Sequence, residues 1–180
     1  VLLDGMIIYN AFHSIGLFSV FDTDIISNAD IYTGGFSGRY GGRISSIMDV
    51  STRDGSLAGL SGRIGASPFG SKLLIEGPLG KRNARGGGTS FLLSGKRSYL
   101  EQSSKLLYSY IDEEGLPFNF TDLYGKLTFA GGAGSRLSLF GFSFSDDVSY
   151  QALSNLDWTN VGGGGQFIVV PTGSAVLIKG

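Results

Sequence analysis

The sequence predicts a mainly β protein: an irregular, mixed α/β first part followed by an antiparallel meander of short strands. Three observations carry that expectation. Period-two alternation is frequent, as in Ser135 to Ser145 (SRLSLFGFSFS), where Phe140, Phe142 and Phe144 share one face and Gly141, Ser143 and Ser145 the other. The alternating runs are separated by KRNARGGG, AGGAGS and NVGGGG, which are turn chemistry. Helical periodicity, by contrast, is scarce.

Taken in order, Val1-Leu2-Leu3-Asp4-Gly5 reads as the end of a strand followed by a turn. A chain that opens inside an element is expected to be a fragment. A short helix is a candidate at Ser14 to Phe21, and a turn at Asp22 to Ser27. Then Gly34, Gly35, Gly38, Gly41 and Gly42 surround Arg39 and Tyr40 and lead past Arg43 into an alternating run, Ile44 to Val50. Glycine allows positive φ and close backbone approach, so this loop is expected to fold tightly and hold Arg39 and Arg43 near one another. A guanidinium in a semi-buried place needs a carboxylate partner, and none stands nearby in sequence. Composition shifts near Gly55, which places a boundary at about Ser56 to Gly59. Beyond it, strands are expected at Leu60–Ala66, Lys72–Leu79, Thr89–Tyr99, Leu123–Ala130, Ser135–Ser145, Gln166–Val170 and Ala175–Lys179. One helix interrupts them at Ser98 to Tyr110 (SYLEQSSKLLYSY), where leucines and tyrosines approach one-face spacing.

Alternation alone leaves a soluble sandwich and a barrel in lipid both open. Two features lean toward the barrel. Aromatics sit near strand ends, at Tyr99, Phe118, Phe120, Tyr124, Tyr150 and Trp158, where an outer-membrane barrel places its interfacial girdle. Small polar faces (Ser61, Arg63, Gly65; Ser94, Lys96, Ser98) suit a wet lumen. In a barrel Phe140, Phe142 and Phe144 are expected to point outward as one band; in a sandwich they pack against a second sheet.

Composition narrows the function classes. The 180 residues carry a net charge of −1, without the basic excess of a nucleic-acid binder. With 42% hydrophobic residues the chain is not expected to be disordered. The lack of cysteine removes disulfides, thiolate metal sites and a cysteine nucleophile. No apolar run approaches the roughly 18 residues of a spanning helix. GGGTSFLLSGK has the wrong glycine spacing for a phosphate-binding loop and carries Arg97 where Ser or Thr should follow the lysine. His13, the only histidine, reads as a loop or packing residue. Asp112-Glu113-Glu114 and Asp146-Asp147 offer oxygen ligands for Ca²⁺ but read better as solvated loops. No enzymatic activity, cofactor or metal is expected.

The ordered motifs resemble a TonB-dependent outer-membrane receptor of the Bacteroidetes type. VLLDGMIIYN matches that family's plug signature, and FDTDIISNADIYTGGFSGRYGGRISSIMDVSTRDG matches the plug's apolar pair, glycine-rich loop, Tyr-Gly pair and last strand. EGPLGKRNARGGGTSFLLSGKRSYLE resembles the first barrel hairpins, and FTDLYGKLTF and SRLSLFGFSFSDD the next strand pair. The resemblance implies that residues 1–56 are the C-terminal part of a plug domain and 57–180 the opening strands of an incomplete transmembrane barrel. Such barrels have roughly 22 strands around a plugged lumen. The implied function is import of a nutrient (a metal chelate, vitamin, glycan or peptide) across the outer membrane of a Gram-negative bacterium. Implied partners are outer-membrane lipid, the TonB energy-transducing complex acting through a segment absent from this sequence, and a surface lipoprotein; nucleic acid is not among them. By position Arg39 and Arg43 become the plug arginines that pair with barrel-wall carboxylates. Tyr9, Asn10 and Phe12, with Phe36 and Tyr40, become substrate contacts. The alternative is a soluble all-β binding module, such as an adhesin or a carbohydrate-binding sandwich.

Overall fold

The computed structural model describes residues 1–13, 16, 18–35, 38–42, 45–84, 86–107, 116–131, 134–150, 154–170 and 178–180. In chain order the strands are β1 (Leu2–Leu3), β2 (Met6–Ile7), β3 (Phe12–His13), β4 (Phe18–Ser19), β5 (Ile26–Tyr32), β6 (Ile47–Thr52), β7 (Ser61–Ser67), β8 (Gly70–Pro78), β9 (Gly88–Ser98), β10 (Phe118–Ala130), β11 (Arg136–Tyr150), β12 (Ser154–Val169) and β13 (Ile178–Lys179). Helix α1 (Leu100–Leu107) lies between β9 and β10. The protein is thus mainly β.

Three sheets form. The small one has the order β2-β1-β6-β5, β3 pairs with β4, and the large one runs β13-β12-β11-β10-β9-β8-β7. The large sheet is antiparallel throughout and open, with β7 and β13 as its edges. In the small sheet β1 lies parallel to β6, with Leu2 opposite Asp49. A two-residue Asp-Gly turn joins β1 to β2, with φ of 49° at Asp4 and 83° at Gly5. Both angles lie in the left-handed region, the geometry for which hairpins select Asp-Gly. The chain passes from the small sheet to the large between Thr52 and Ser61.

The core lies between the two sheets. Leu3 and Val50 of the small sheet, with Ile8, Val20 and Ile25 from its connections, pack on Leu92, Tyr124, Phe140, Phe142 and Phe144 of the large one. The expectation that these three phenylalanines point outward therefore does not hold; they are 8%, 5% and 4% exposed and packed in the core. The girdle expectation fails as well at Phe118, Phe120 and Tyr124, which are buried. Tyr150's side chain is outside the described residues. The polar residues Ser94 and Ser98 lie on the inward face and are buried.

Boundaries shifted in informative ways. Phe18 and Ser19, placed in a candidate helix, pair instead with His13 and Phe12. NVGGGG, read as a turn, lies inside β12, where Gly162, Gly163 and Gly164 stand opposite Phe142, Gly141 and Phe140. The absent side chains are what the packing needs: a Cβ on Gly162 would sit 2.6 Å from both Met6 Sδ and the Phe142 ring. Helix α1 forms inside the expected span. Its first turn is capped by Ser98, whose Oγ accepts from Leu100 N at 3.2 Å, and Leu100 is buried beside Phe118 and Val148.

Candidate functional site

Strand alternation sends every second side chain of the large sheet toward the small sheet, and most of its charge goes that way. Opposite it, the small sheet and its connections present carboxylates. The charged seam between them is the site.

One cluster gathers around the Asp4-Gly5 turn. Asp4 is buried; its Oδ1 accepts from Thr52 N at 2.9 Å, and its Oδ2 accepts from Thr52 Oγ1 and from Tyr124 Oη, each at 2.7 Å. Lys126, buried on β10, donates to Thr52 O and Oγ1 at 3.1 Å and lies 3.2 Å from Asp54 Oδ1. Asp54 also accepts from Thr128 Oγ1 at 3.0 Å and from Arg136 Nη1 at 2.6 Å. On the other side, Gln166 of β12 reaches the Asp4 carbonyl at 2.6 Å. Burial pushes the Asp54 carboxyl up, but Lys126 and Arg136 outweigh it and hold the group below the usual carboxylate range.

A second cluster is built on Arg53 and the Asp22–Ile25 turn. Arg53 forms a two-point fork on Glu76 of β8, Nη1 to Oε2 at 2.5 Å and Nη2 to Oε1 at 2.9 Å, while its Nε donates to Asp24 O at 2.8 Å. Asp24 meets Lys72 and Arg63, each at 2.5 Å. The hydrogen bond from Lys72, helped by Arg63, holds Asp24 low against the opposing effect of burial. Asp22 accepts from Ser94 Oγ at 2.9 Å. Fork geometry makes Arg53–Glu76 the strongest exposed-rim pair in the seam. A double-mutant cycle with Arg53→Ala and Glu76→Ala is expected to give a coupling of about 1–2 kcal/mol in the unfolding of the full-length protein. Additivity of the two would show that the fork contributes nothing.

A third cluster centres on His13, which is 2% exposed. Its Nε2 lies 2.7 Å from Asp122 Oδ1 and its Nδ1 lies 3.6 Å from Asp146 Oδ2. The ring stacks on Phe120 with centroids 4.4 Å apart. Lys96 joins Asp122 at 2.9 Å and donates to Ser19 O at 2.5 Å. His13 is therefore a packing residue, and also the polar link between β3 and the large sheet. Asp146 and Asp147 belong to β11 and not to a loop.

Arg43, Phe36 and the Asp112–Glu114 run lie outside the described residues, as does the side chain of Arg39. Gly38–Tyr40 form a single 3-10 turn. Gly35 and Gly42 adopt φ of 65° and 73°, so glycine's freedom is used there. Among the described residues, nothing lies within 4 Å of a Cβ on Gly34, Gly35, Gly38 or Gly42, and at Gly41 the nearest atom is 3.9 Å away. Tyr40 Oη donates to Asp49 at 3.1 Å and its ring tilts against Tyr32. Tyr9 is 83% exposed and Phe12 46%, with Asn10 Oδ1 accepting from Phe12 N at 3.4 Å. No described contact joins Tyr9, Asn10 and Phe12 to Tyr40. The residues that sequence reasoning missed, Arg53, Asp4, Asp54 and Lys126, find partners 23 to 120 positions away, beyond the reach of local pattern.

Among the described residues no group of His, Cys, Asp and Glu could hold a metal ion. No family model, curated protein or solved structure matches the chain.

Proposed function

We propose that this chain belongs to an outer-membrane active-transport receptor of the TonB-dependent kind, residues 1–56 being the C-terminal part of its plug and 57–180 the first strands of its barrel. The observation that carries the reading is the outward face of the large sheet. Leu73, Ile75, Leu93, Leu123, Leu127, Phe129, Leu137, Leu139, Val161, Phe167 and Val169 all point away from the core and are 37% to 70% exposed. Among the described residues, charge on that face is confined to Arg97, Asp147 and Asp157, at or beyond the cross-strand row Arg97–Thr121–Ser145–Thr159. A water-facing sheet would invert this pattern, because its solvent face is the polar one. Strands β10, β11 and β12 have 13, 15 and 16 residues, longer than the roughly 9–11 that cross a bilayer.

In this reading further strands continue from the open edges β7 and β13, lipid covers the apolar band, and the charged seam holds the plug within the lumen. Substrate is a nutrient taken up from outside, with energy delivered by the TonB complex. The ion pairs of the plug then run mostly from plug carboxylates to wall cations, with Arg53–Glu76 as the arginine-to-wall pair. A surface lipoprotein fits as a further partner.

The inward Phe140, Phe142 and Phe144 favour the second reading, a soluble sandwich. One experiment separates the two. Arginine at Leu127 or Leu139 of the full-length protein costs about 2–4 kcal/mol if the position faces lipid. Expressed in a Gram-negative host, both variants are expected to lose folded, membrane-fractionating protein at least tenfold, while Thr121→Arg is tolerated. Variants that fold as well as the parent, in the aqueous fraction, would establish the soluble module instead.

A further inference from the structure

We propose that the recess between Phe18, Phe69 and Phe120 is a binding site for a neutral aromatic group. It is an open recess of about 290 Å³ where the β3–β4 hairpin meets the large sheet beside the β7–β8 turn. The Phe18 ring lies 5.5 Å from Phe120 and 6.1 Å from Phe69, tilted by 41° and 48°. The three rings pack tilted against one another and give the recess an aromatic wall, with Phe69 as its exposed member, which favours a flat π-surface as occupant. Phe69 stands 43% exposed at the tip of a tight turn and forms the entrance. Phe120 is buried and backed by the stacked His13 ring, so the inner wall is rigid.

The floor excludes charge. Lys72 and Lys96 line the recess, yet the ammonium of Lys72 is taken by Asp22 and Asp24 at 3.4 and 2.5 Å, and that of Lys96 by Asp122 at 2.9 Å and Ser19 O at 2.5 Å. Each cation is already paired with a carboxylate, so an anionic ligand gains no free partner, and no carboxylate lines the recess to receive a cationic one. What remains for contact, beside the rings, is the hydrocarbon of the stems, Ala66, the backbone of Gly65 and Gly70, and the small side chains of Ser67 and Ser71. Size points the same way. A dry apolar cavity of about 150 Å³ accepts benzene, so this recess has room for a fused pair of rings. As the docking point of a transported molecule the site rests on the receptor reading; as a binding site it does not.

The probe is 6-fluoroindole, followed by ¹⁹F NMR with the full-length protein in lipid nanodiscs and with empty nanodiscs as the partitioning control. A saturable shift, displaced by unlabelled indole, is expected. Phe69→Ala is expected to weaken it about tenfold by removing one of the rings. Gly65→Leu is expected to abolish it by filling the floor; the three atoms nearest its Cβ all belong to the flexible Lys72 stem, the first at 3.0 Å, and that stem can swing aside. A response that climbs linearly as in empty nanodiscs, or one unchanged by both substitutions, overturns the proposal while leaving the receptor reading standing. Should the protein stay out of nanodiscs, the receptor reading falls, and the same titration in water tests the recess alone.

Discussion

Replacing Gly55 with alanine is expected to destabilise the full-length protein by about 3 kcal/mol, the upper range for overpacking a rigid site. The residue lies on the crossing from the small sheet to the large, where the chain runs against the backbone of β9. A Cβ there would collide with the Phe91 carbonyl oxygen and lie 2.6 Å from its carbon. Neither atom belongs to a side chain that can swing aside, and Phe91 is tied into pairs with both Gly77 and Leu127. The crossing must therefore shift, and with it Arg53, Asp54 and the fork on Glu76. Gly38→Ala is the control: its Cβ meets nothing within 4 Å, its φ is not positive, and a change within about 0.5 kcal/mol is expected. Equal denaturation midpoints for the two variants would contradict the close approach at Gly55.

Lys126→Met is expected to cost about 1–3 kcal/mol, because the buried Thr52 oxygens lose their ammonium donor while Asp54 keeps Arg136 and Thr128. Lys126 is the cation that compensates Asp54 directly and Asp4 through Thr52. Acid titration gives the same residue a second signature. Asp24 and Asp54 are both held below their usual range when folded. The native protein then binds fewer protons than the unfolded chain near pH 4, so stability falls as pH falls. The contribution is complete above the unfolded pKa of about 4 and disappears as pH drops through the lower folded values. Lys126→Met removes the largest force lowering Asp54, so its acid slope should be shallower than the parent's. Identical slopes would mean that the Lys126–Asp54 pair does not carry the acid sensitivity.

Local chemistry was legible in the sequence. The Asp-Gly turn after β1, the strands on either side of KRNARGGG and AGGAGS, and helix α1 all follow from residue type and spacing. The face on which a strand is buried was not. Alternation in SRLSLFGFSFS reveals two faces but not which of them meets the core, because Phe suits lipid and a packed interior equally well. Register was needed, and it puts Phe140 and Phe142 beside the bare backbone of Gly164 and Gly162. Those glycines misled for a related reason. A glycine cluster signals a turn when backbone freedom is what it supplies, whereas in β12 it supplies room for rings. At the seam, nothing local marks Arg53, because its partner stands 23 residues on in a strand.

The polar half of the interface between the sheets has a mechanical consequence. Interfaces made only of hydrocarbon resist parting, since every ångström of separation exposes apolar surface to water. Here Asp4, Asp22, Asp24 and Asp54 hold Lys72, Lys126, Arg136 and the hydroxyls of Thr52, Tyr124 and Ser94 through hydrogen bonds that water can replace one at a time. Displacement of one sheet against the other can proceed by wetting, each bond exchanged before the next is strained. Under a sustained pull the polar half is thus expected to yield bond by bond, while Leu3 and Val50 against Phe140 and Phe142 keep the hydrocarbon half closed.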